Sequence, residues 1–354
     1  MVKKLCLIFL LLLTACSSES EVTATPTNSV TYSSIENDYA VTYLDDYQNA
    51  REWHGKYLSR LDQIEIPKRL QAISKEYFDV NEYSMSIGQV ITKDDIIMLQ
   101  RHESSNYPYA LNPELNSFKT KDGEILASPY IVSDIVELDF YDQDQELSGM
   151  SLAIVLNNSV SDNDETIILD DETIYNYASI IGRKLELYLR NNEEVSSNMP
   201  IVITFYRALE SSSYVPGNMI GKGIFEGRSG QFEKVDQKWL LIPSNESEAF
   251  DNVTYTNFNL LKSKVNNFLP ENVGIIAYAF YNNESLAELD ATVSMQAKTY
   301  TEIYSLAELI AESAKRDFSS LAYEFKVNIQ QDYQTVFTIY KAANSKEIEV
   351  RDLS

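Results

Sequence analysis

The sequence predicts an α+β protein of two related lobes, each a mostly antiparallel sheet with packed helices. First, Val136, Leu138 and Phe140 alternate with Glu137 and Asp139, as Tyr323, Phe325, Val327 and Ile329 do with Glu324, Lys326 and Asn328. Alternation with one polar side favours antiparallel strands with one solvated face. Second, other apolar residues recur at spacings of three and four, the period of a helix face. Third, segments repeat. Residues 103–108 (ESSNYP) return as 210–216 (ESSSYVP), and Phe140-Tyr141 with 147–156 return as Phe280-Tyr281 with 286–295. The offset grows from 107 to 140, which predicts an insertion in the second copy around residues 221–244. The polar stretch 157–171 then divides the lobes, with the first repeat at 38–165 and the second at 166–354.

At the start of the chain, Lys3 and Lys4 precede an apolar run, residues 5–13, and then Leu13-Thr14-Ala15-Cys16. That run is about half of the roughly 20 residues that a permanent membrane helix needs, so it reads as a cleaved leader, residues 1–15. The four residues ending in cysteine resemble a bacterial lipobox. This implies that Cys16 is alkylated with diacylglycerol, becomes the new N-terminus and anchors the chain through its lipid. The expected partners are then the membrane, a signal peptidase and the lipid-transfer machinery, with an extracellular body at the outer face of the cytoplasmic membrane. Residues 16–37 are rich in Ser, Thr and Glu and poor in large apolar groups, the composition of a flexible tether.

In the body, Pro67 is expected to open a helix carrying Leu70, Ile73 and Tyr77 on one face. Ile174, Ala178, Ile181, Leu185 and Tyr188 define a helix over about 171–189, capped by Asp170 or Asp171. Phe258, Leu261, Val265 and Phe268 mark a further helix, stopped by Pro270. Ser305 and Glu308 have the spacing of a capping box ahead of Leu309, Ile310 and Ala314.

Composition excludes several functions. Formal charge is -24, and loss of Lys3 and Lys4 with the leader makes the remainder more acidic still, which opposes nucleic-acid binding. The only cysteines are Cys6 and Cys16, so the body has no disulfide and no thiolate nucleophile. His54 and His102 are not spaced as a zinc pair, and no G-x-S-x-G elbow surrounds any serine. Asp142, Asp144 and Glu146 have the spacing of calcium-loop ligands, but Leu147 stands at the required glycine and Ala153 at the required glutamate. Asp162 and Asp164 likewise read as turn residues, and Gly221-Lys222-Gly223 lacks the flanks of a phosphate loop. No catalytic residue, metal site or cofactor is expected. The candidates for binding are the two repeated loops, with Glu103, Tyr107 and Pro108 in one and Glu210, Tyr214, Pro216 and Gly217 in the other, together with Trp239 as a groove wall.

Residues 199–207 (MPIVITFYR), the turn ending Tyr214-Val215-Pro216-Gly217-Asn218, residues 239–244 (WLLIPS), and Asn267-Phe268-Leu269-Pro270 leading to Gly274-Ile275-Ile276 and Phe280-Tyr281 together resemble the CamS family. The resemblance implies a bacterial lipoprotein, described as a sex-pheromone precursor, built from two repeats. It also implies that the end of the leader, Phe9, Leu10, Leu11, Leu12, Leu13, Thr14 and Ala15, is released as a hydrophobic peptide that a receptor recognises during conjugative plasmid transfer. The body then reads as a non-catalytic binding or accessory module of unknown ligand. The alternatives are a solute-binding lipoprotein of a transporter, normally a parallel doubly wound fold, and a cell-wall-associated enzyme, which needs a nucleophile or metal constellation.

Overall fold

The computed structural model describes residues 29–44 and 58–354, apart from positions 34, 36, 211, 228 and 319–321. The leader, Cys16, the candidate peptide Phe9 to Ala15, and His54 lie outside the described residues. The chain begins with β1 (Ser29–Tyr32), β2 (Ala40–Leu44), α1 (Arg60–Ser74), β3 (Ser84–Ile87), α2 (Lys93–Leu99), β4 (Phe118–Lys119) and β5 (Ile125–Leu126). It continues through β6 (Val132–Tyr141), β7 (Leu147–Asn157), β8 (Ser159–Asp162), β9 (Glu165–Ile168), α3 (Asp171–Leu189), β10 (Ile201–Ala208), β11 (Asn218–Glu226) and β12 (Ser229–Lys234). The last part holds β13 (Gln237–Ile242), α4 (Asn245–Phe250), α5 (Asn252–Phe268), β14 (Val273–Asn282), β15 (Ser285–Met295), α6 (Tyr300–Asp317), β16 (Glu324–Gln331), β17 (Gln334–Lys341) and β18 (Glu349–Asp352).

Among the described residues two large sheets form, one in the order β1-β2-β3-β6-β7-β10-β11-β12 and the other β13-β14-β15-β16-β17-β18. Pairing is antiparallel except at β2–β3, β7–β10 and β15–β16. The α+β class with mostly antiparallel sheets stands. The sheets part between Lys234 and Gln237, so residues 166–236, expected in the second repeat, complete the first sheet. The polar stretch that suggested a boundary is the hairpin β8–β9, whose turn residues Asn163 and Asp164 have positive φ. Strand β1 falls inside the expected tether and pairs with β2.

The repeat is real but its copies have other bounds than expected. β3, β6, β7, α3, β10, β11 and β12 follow the same path as β13, β14, β15, α6, β16, β17 and β18, including the parallel step across the helix. The ladder slips between Phe140 and Tyr141 in one copy and between Phe280 and Tyr281 in the other, and again after Phe205 and after Ile329. A bulge is a specific local geometry, so its recurrence at equivalent positions aligns the copies residue by residue. The match of 140–156 to 280–295 is therefore structural. The match of 103–108 to 210–216 is not, because the first follows α2 and the second joins β10 to β11, where the second copy has a tight turn at Asp332 and Tyr333. Residues 221–234 are strands β11 and β12 and not an insertion.

Helix starts follow their caps. α3 spans the expected residues, with Asp170 accepting from the Thr173 N–H at 3.1 Å. α1 begins earlier than expected, at the Ser59 cap, and carries Pro67 in its interior. α6 begins at the capping box of Thr299 and Glu302, while the Ser305 hydroxyl donates back to the Thr301 carbonyl within the helix. α5 stops two residues before Pro270. One core lies between α3 and the first sheet, through Ile181, Leu185, Ile203 and Phe205, and another lies under α1 on its opposite face, through Ile66, Leu70, Val155 and Val202. The second sheet packs α5 and α6 on one face only, through Phe258, Val265, Leu306, Ala279 and Val327.

Candidate functional site

Helix α1 has two working sides. Ile66, Leu70 and Ile73 are buried against the first sheet, whereas Leu61 and Ile64 point outward and are 40% and 71% exposed. The outer side faces the uncovered face of the second sheet, and between them lies a cleft of about 310 Å³. Leu61, Ile64, Glu65 and Lys68 form its helical wall, Pro216 and Trp239 one end, and Tyr278, Glu288, Asp290, Glu324 and Lys326 its sheet floor.

The lobes are joined beside this cleft by charge. Arg69, 5% exposed, donates from Nε to Glu65 at 2.5 Å and from Nη1 to Glu288 of β15 at 2.6 Å, and Lys68 reaches Glu288 at 2.8 Å. The guanidinium lies over the Phe280 ring, 3.6 Å from its centroid. The Trp239 indole N–H donates to Glu65 at 2.7 Å, which fixes the ring at the mouth of the cleft. Burial opposes the charged form of Glu288, but the hydrogen bonds from Arg69 and Lys68 outweigh it and hold the carboxyl below the usual glutamate range. On the floor, Lys326 donates to Asp290 at 3.0 Å, Asn328 to Asp290 at 3.3 Å, and Tyr340 to Glu324 at 3.1 Å.

The expected binding residues divide. Pro216 and Trp239 line the cleft, and Gly217 lies beside it, its N–H donating to buried Asp62 of α1 at 2.9 Å. A Cβ at Gly217 would stand 2.1 Å from the Arg207 carbonyl oxygen, so only glycine permits this approach. Tyr206 donates to the same Asp62 at 2.5 Å. Tyr214 is 77% exposed, and the Glu210 carbonyl receives the Ser213 N–H at 2.8 Å.

Glu103, Tyr107 and Pro108 are elsewhere. Glu103 pairs with Lys184 of α3 at 2.6 Å, and Tyr107 lies under Arg101, which puts that loop on the α3 side of the first sheet, opposite α1. The two loops share no cleft. His102 is engaged at both ring nitrogens, with the Pro113 carbonyl at 2.7 Å and the Ser128 hydroxyl at 3.2 Å. Asp142 accepts the Asp144 and Glu146 N–H groups of a turn, and Asp162 those of Ala127 and Ser128. Among the described residues, no group of three or more His, Cys, Asp or Glu could hold a metal, and no helix is long and apolar enough to cross a membrane.

Arg69, Glu65, Tyr278, Glu288, Asp290 and Lys326 were not singled out from the sequence. One signal was present: Leu61 and Ile64 make a second apolar stripe on a helix whose first stripe is Ile66, Leu70 and Ile73.

The model of the CamS sex pheromone cAM373 precursor family matches residues 47–347, most of the chain and both sheets. The chain belongs to this family. The CamS fold is also seen in solved structures. A sex pheromone precursor from Lactobacillus salivarius subsp. salivarius UCC118 is 21% identical with a TM-score of 0.78, over 92% of this chain and 99% of that one. The C-terminal domain of the sex pheromone staph-cAM373 precursor from Staphylococcus aureus is 20% identical with a TM-score of 0.70, over 83% and 97%. No curated protein matches this CamS chain at a significant level.

Proposed function

We propose that this CamS-family chain is the precursor of a hydrophobic peptide signal and of a lipid-anchored extracellular body. Cleavage before Cys16 frees the leader, whose last residues, Phe9 to Ala15, are the candidate pheromone for a receptor that governs conjugative transfer. Acylated Cys16 holds the acidic body at the outer leaflet. The body is a non-catalytic module that binds through the interlobe cleft. Family membership over residues 47–347, joined to Leu13-Thr14-Ala15-Cys16 at the end of a short apolar leader, carries this reading.

In cells fed labelled palmitate, the wild-type chain is expected to take up label and sediment with membranes, and Cys16→Ser to do neither. Retention of the serine variant on membranes would overturn the anchor. Mass spectrometry of culture fluid is expected to find FLLLLTA, and the synthetic heptapeptide to induce plasmid transfer; absence of both would leave only the lipoprotein.

A further inference from the structure

We infer that the interlobe cleft is built for a neutral oligosaccharide, an assignment that rests on the body being a binding module and names its ligand class. Three observations carry it. The first is the contrast between the repeats. Leu138, Ser151, Val202 and Thr204 of the first sheet are buried under α1, and the strand registers place Tyr278, Asp290, Lys326 and Asn328 at the equivalent positions of the second. A face that carries two aliphatic and two hydroxyl side chains, none charged, in one copy carries an aromatic ring, a carboxylate, an ammonium and an amide in the other, and these stay partly exposed.

The second observation is how the charges are paired. Glu65 and Glu288 are paired with Arg69 and Lys68, Asp290 is paired with Lys326, and Glu324 accepts from Tyr340. Three cations thus match three of the four carboxylates and a phenol serves Glu324, so an anion would break a pair or face its own sign and a cation would gain a single carboxylate, whereas a neutral ligand meets donors and acceptors with capacity left over. An ammonium has three donors and a carboxylate about four acceptor sites, and the contacts above use only part of them. Hydroxyl groups, which both donate and accept, match such a floor.

The third observation is the rigid aromatic end. Trp239 is held by its N–H to Glu65 and by Phe280, at 5.0 Å between ring centroids, and lines the same cleft as Tyr278 of the neighbouring strand. Fixed rings beside polar groups offer flat surfaces to the apolar faces of sugar rings while the rims reach hydrogen-bonding groups. A volume of about 310 Å³ is at the small end of ligand sites and admits one or two sugar units, with the rest of a chain running out along the open sheet.

The test uses the chain from Cys16→Ser onward, with Trp53→Phe so that Trp239 is the only indole. Its fluorescence is followed against cellotetraose, maltotetraose and the β-1,4-linked N-acetylglucosamine tetramer, with FLLLLTA and a lysine-rich heptapeptide as controls. At least one sugar is expected to give a saturable change that moves less than about twofold between low and high salt, because no ion pair forms on binding. Tyr278→Ala and Asp290→Ala, on the open face and outside the core, are each expected to weaken it about tenfold, the loss of one well-placed contact. Binding of a peptide but of no sugar would overturn the oligosaccharide assignment and leave the cleft as a binding site. No response to any probe would overturn both, as would sugar binding that both variants leave unchanged.

Discussion

The two repeats share a strand path, a parallel step and two bulges, yet they differ in what covers each face. In the first copy Glu137 and Asp139 lie buried on the α3 face, where the Glu137 carboxylate accepts the Val90 and Ile91 N–H groups at 3.1 Å and Asp139 accepts that of Gln89 at 2.7 Å. In the second copy Ala277 and Ala279 stand at those positions, and α5 packs directly on the sheet. An irregular segment brings backbone N–H groups that need acceptors, and a helix satisfies its own. The opposite faces differ in the reverse sense: the first is apolar under α1, and the second is polar and open. Register is common to both copies, while the side chains on each face answer to the element that lies over it.

The joint between the copies offers the largest test of this contrast. Arg69→Ala leaves Glu65 and Glu288 without their shared buried partner, and removing one member of a buried pair costs about 3 to 5 kcal/mol. Because each sheet has its own core, urea unfolding is expected to split into two transitions; one unchanged transition would show that the lobes are joined by other contacts. A smaller loss is expected within the first copy. Glu137→Ala strands two buried N–H groups at about 1 to 3 kcal/mol each, less whatever water repairs, so a loss of about 2 to 4 kcal/mol is expected with faster amide exchange at Val90 and Ile91. Unaltered exchange there would mean that the carboxylate does not hold this segment.

The sequence conveyed the elements better than their assembly. α3 was legible because Asp170 caps a five-residue stripe that nothing interrupts, and β6 and β16 because strand alternation is strict. Pro67 misled, since proline is commonest in the first turn of a helix and here sits in the middle, where α1 tolerates it. Glu137 and Asp139 read as a solvated face because a buried carboxylate and an exposed one look alike until the segment that covers them is known. The true repeat was visible at Phe140-Tyr141 and Phe280-Tyr281, but the polar stretch 157–171 suggested a boundary ahead of α3, whose following strands complete the first sheet. Of the site, Trp239 and Pro216 were legible as aromatic and turn residues near a glycine. The acids and bases that complete it come from α1 and β14 to β16, more than 200 residues apart, and only the packing of one lobe on the other unites them.

The finest difference between the copies is a proton. Burial first, and the charge of Glu137 second, push the Asp139 carboxyl well above its ordinary 3.8, against the Gln89 N–H that favours ionisation; Glu194 adds to the same rise. Burial and these acids also raise the Tyr141 phenol, so it stays neutral and offers no compensating charge. Above pH 3.8 the folded chain therefore keeps a proton on Asp139 that the unfolded chain releases. Its contribution to stability is full below that pH and is lost as pH rises toward the raised value. Asp139→Asn keeps an oxygen for the Gln89 N–H and removes the titration. Its stability is expected to fall less with pH than the wild type and to be no lower at neutral pH, and the second copy, with Ala279 at this position, supplies no such slope. A variant that is less stable at pH 7 with an unchanged slope would show that the carboxylate is ionised in the folded chain and that the two faces differ in hydrogen bonding alone.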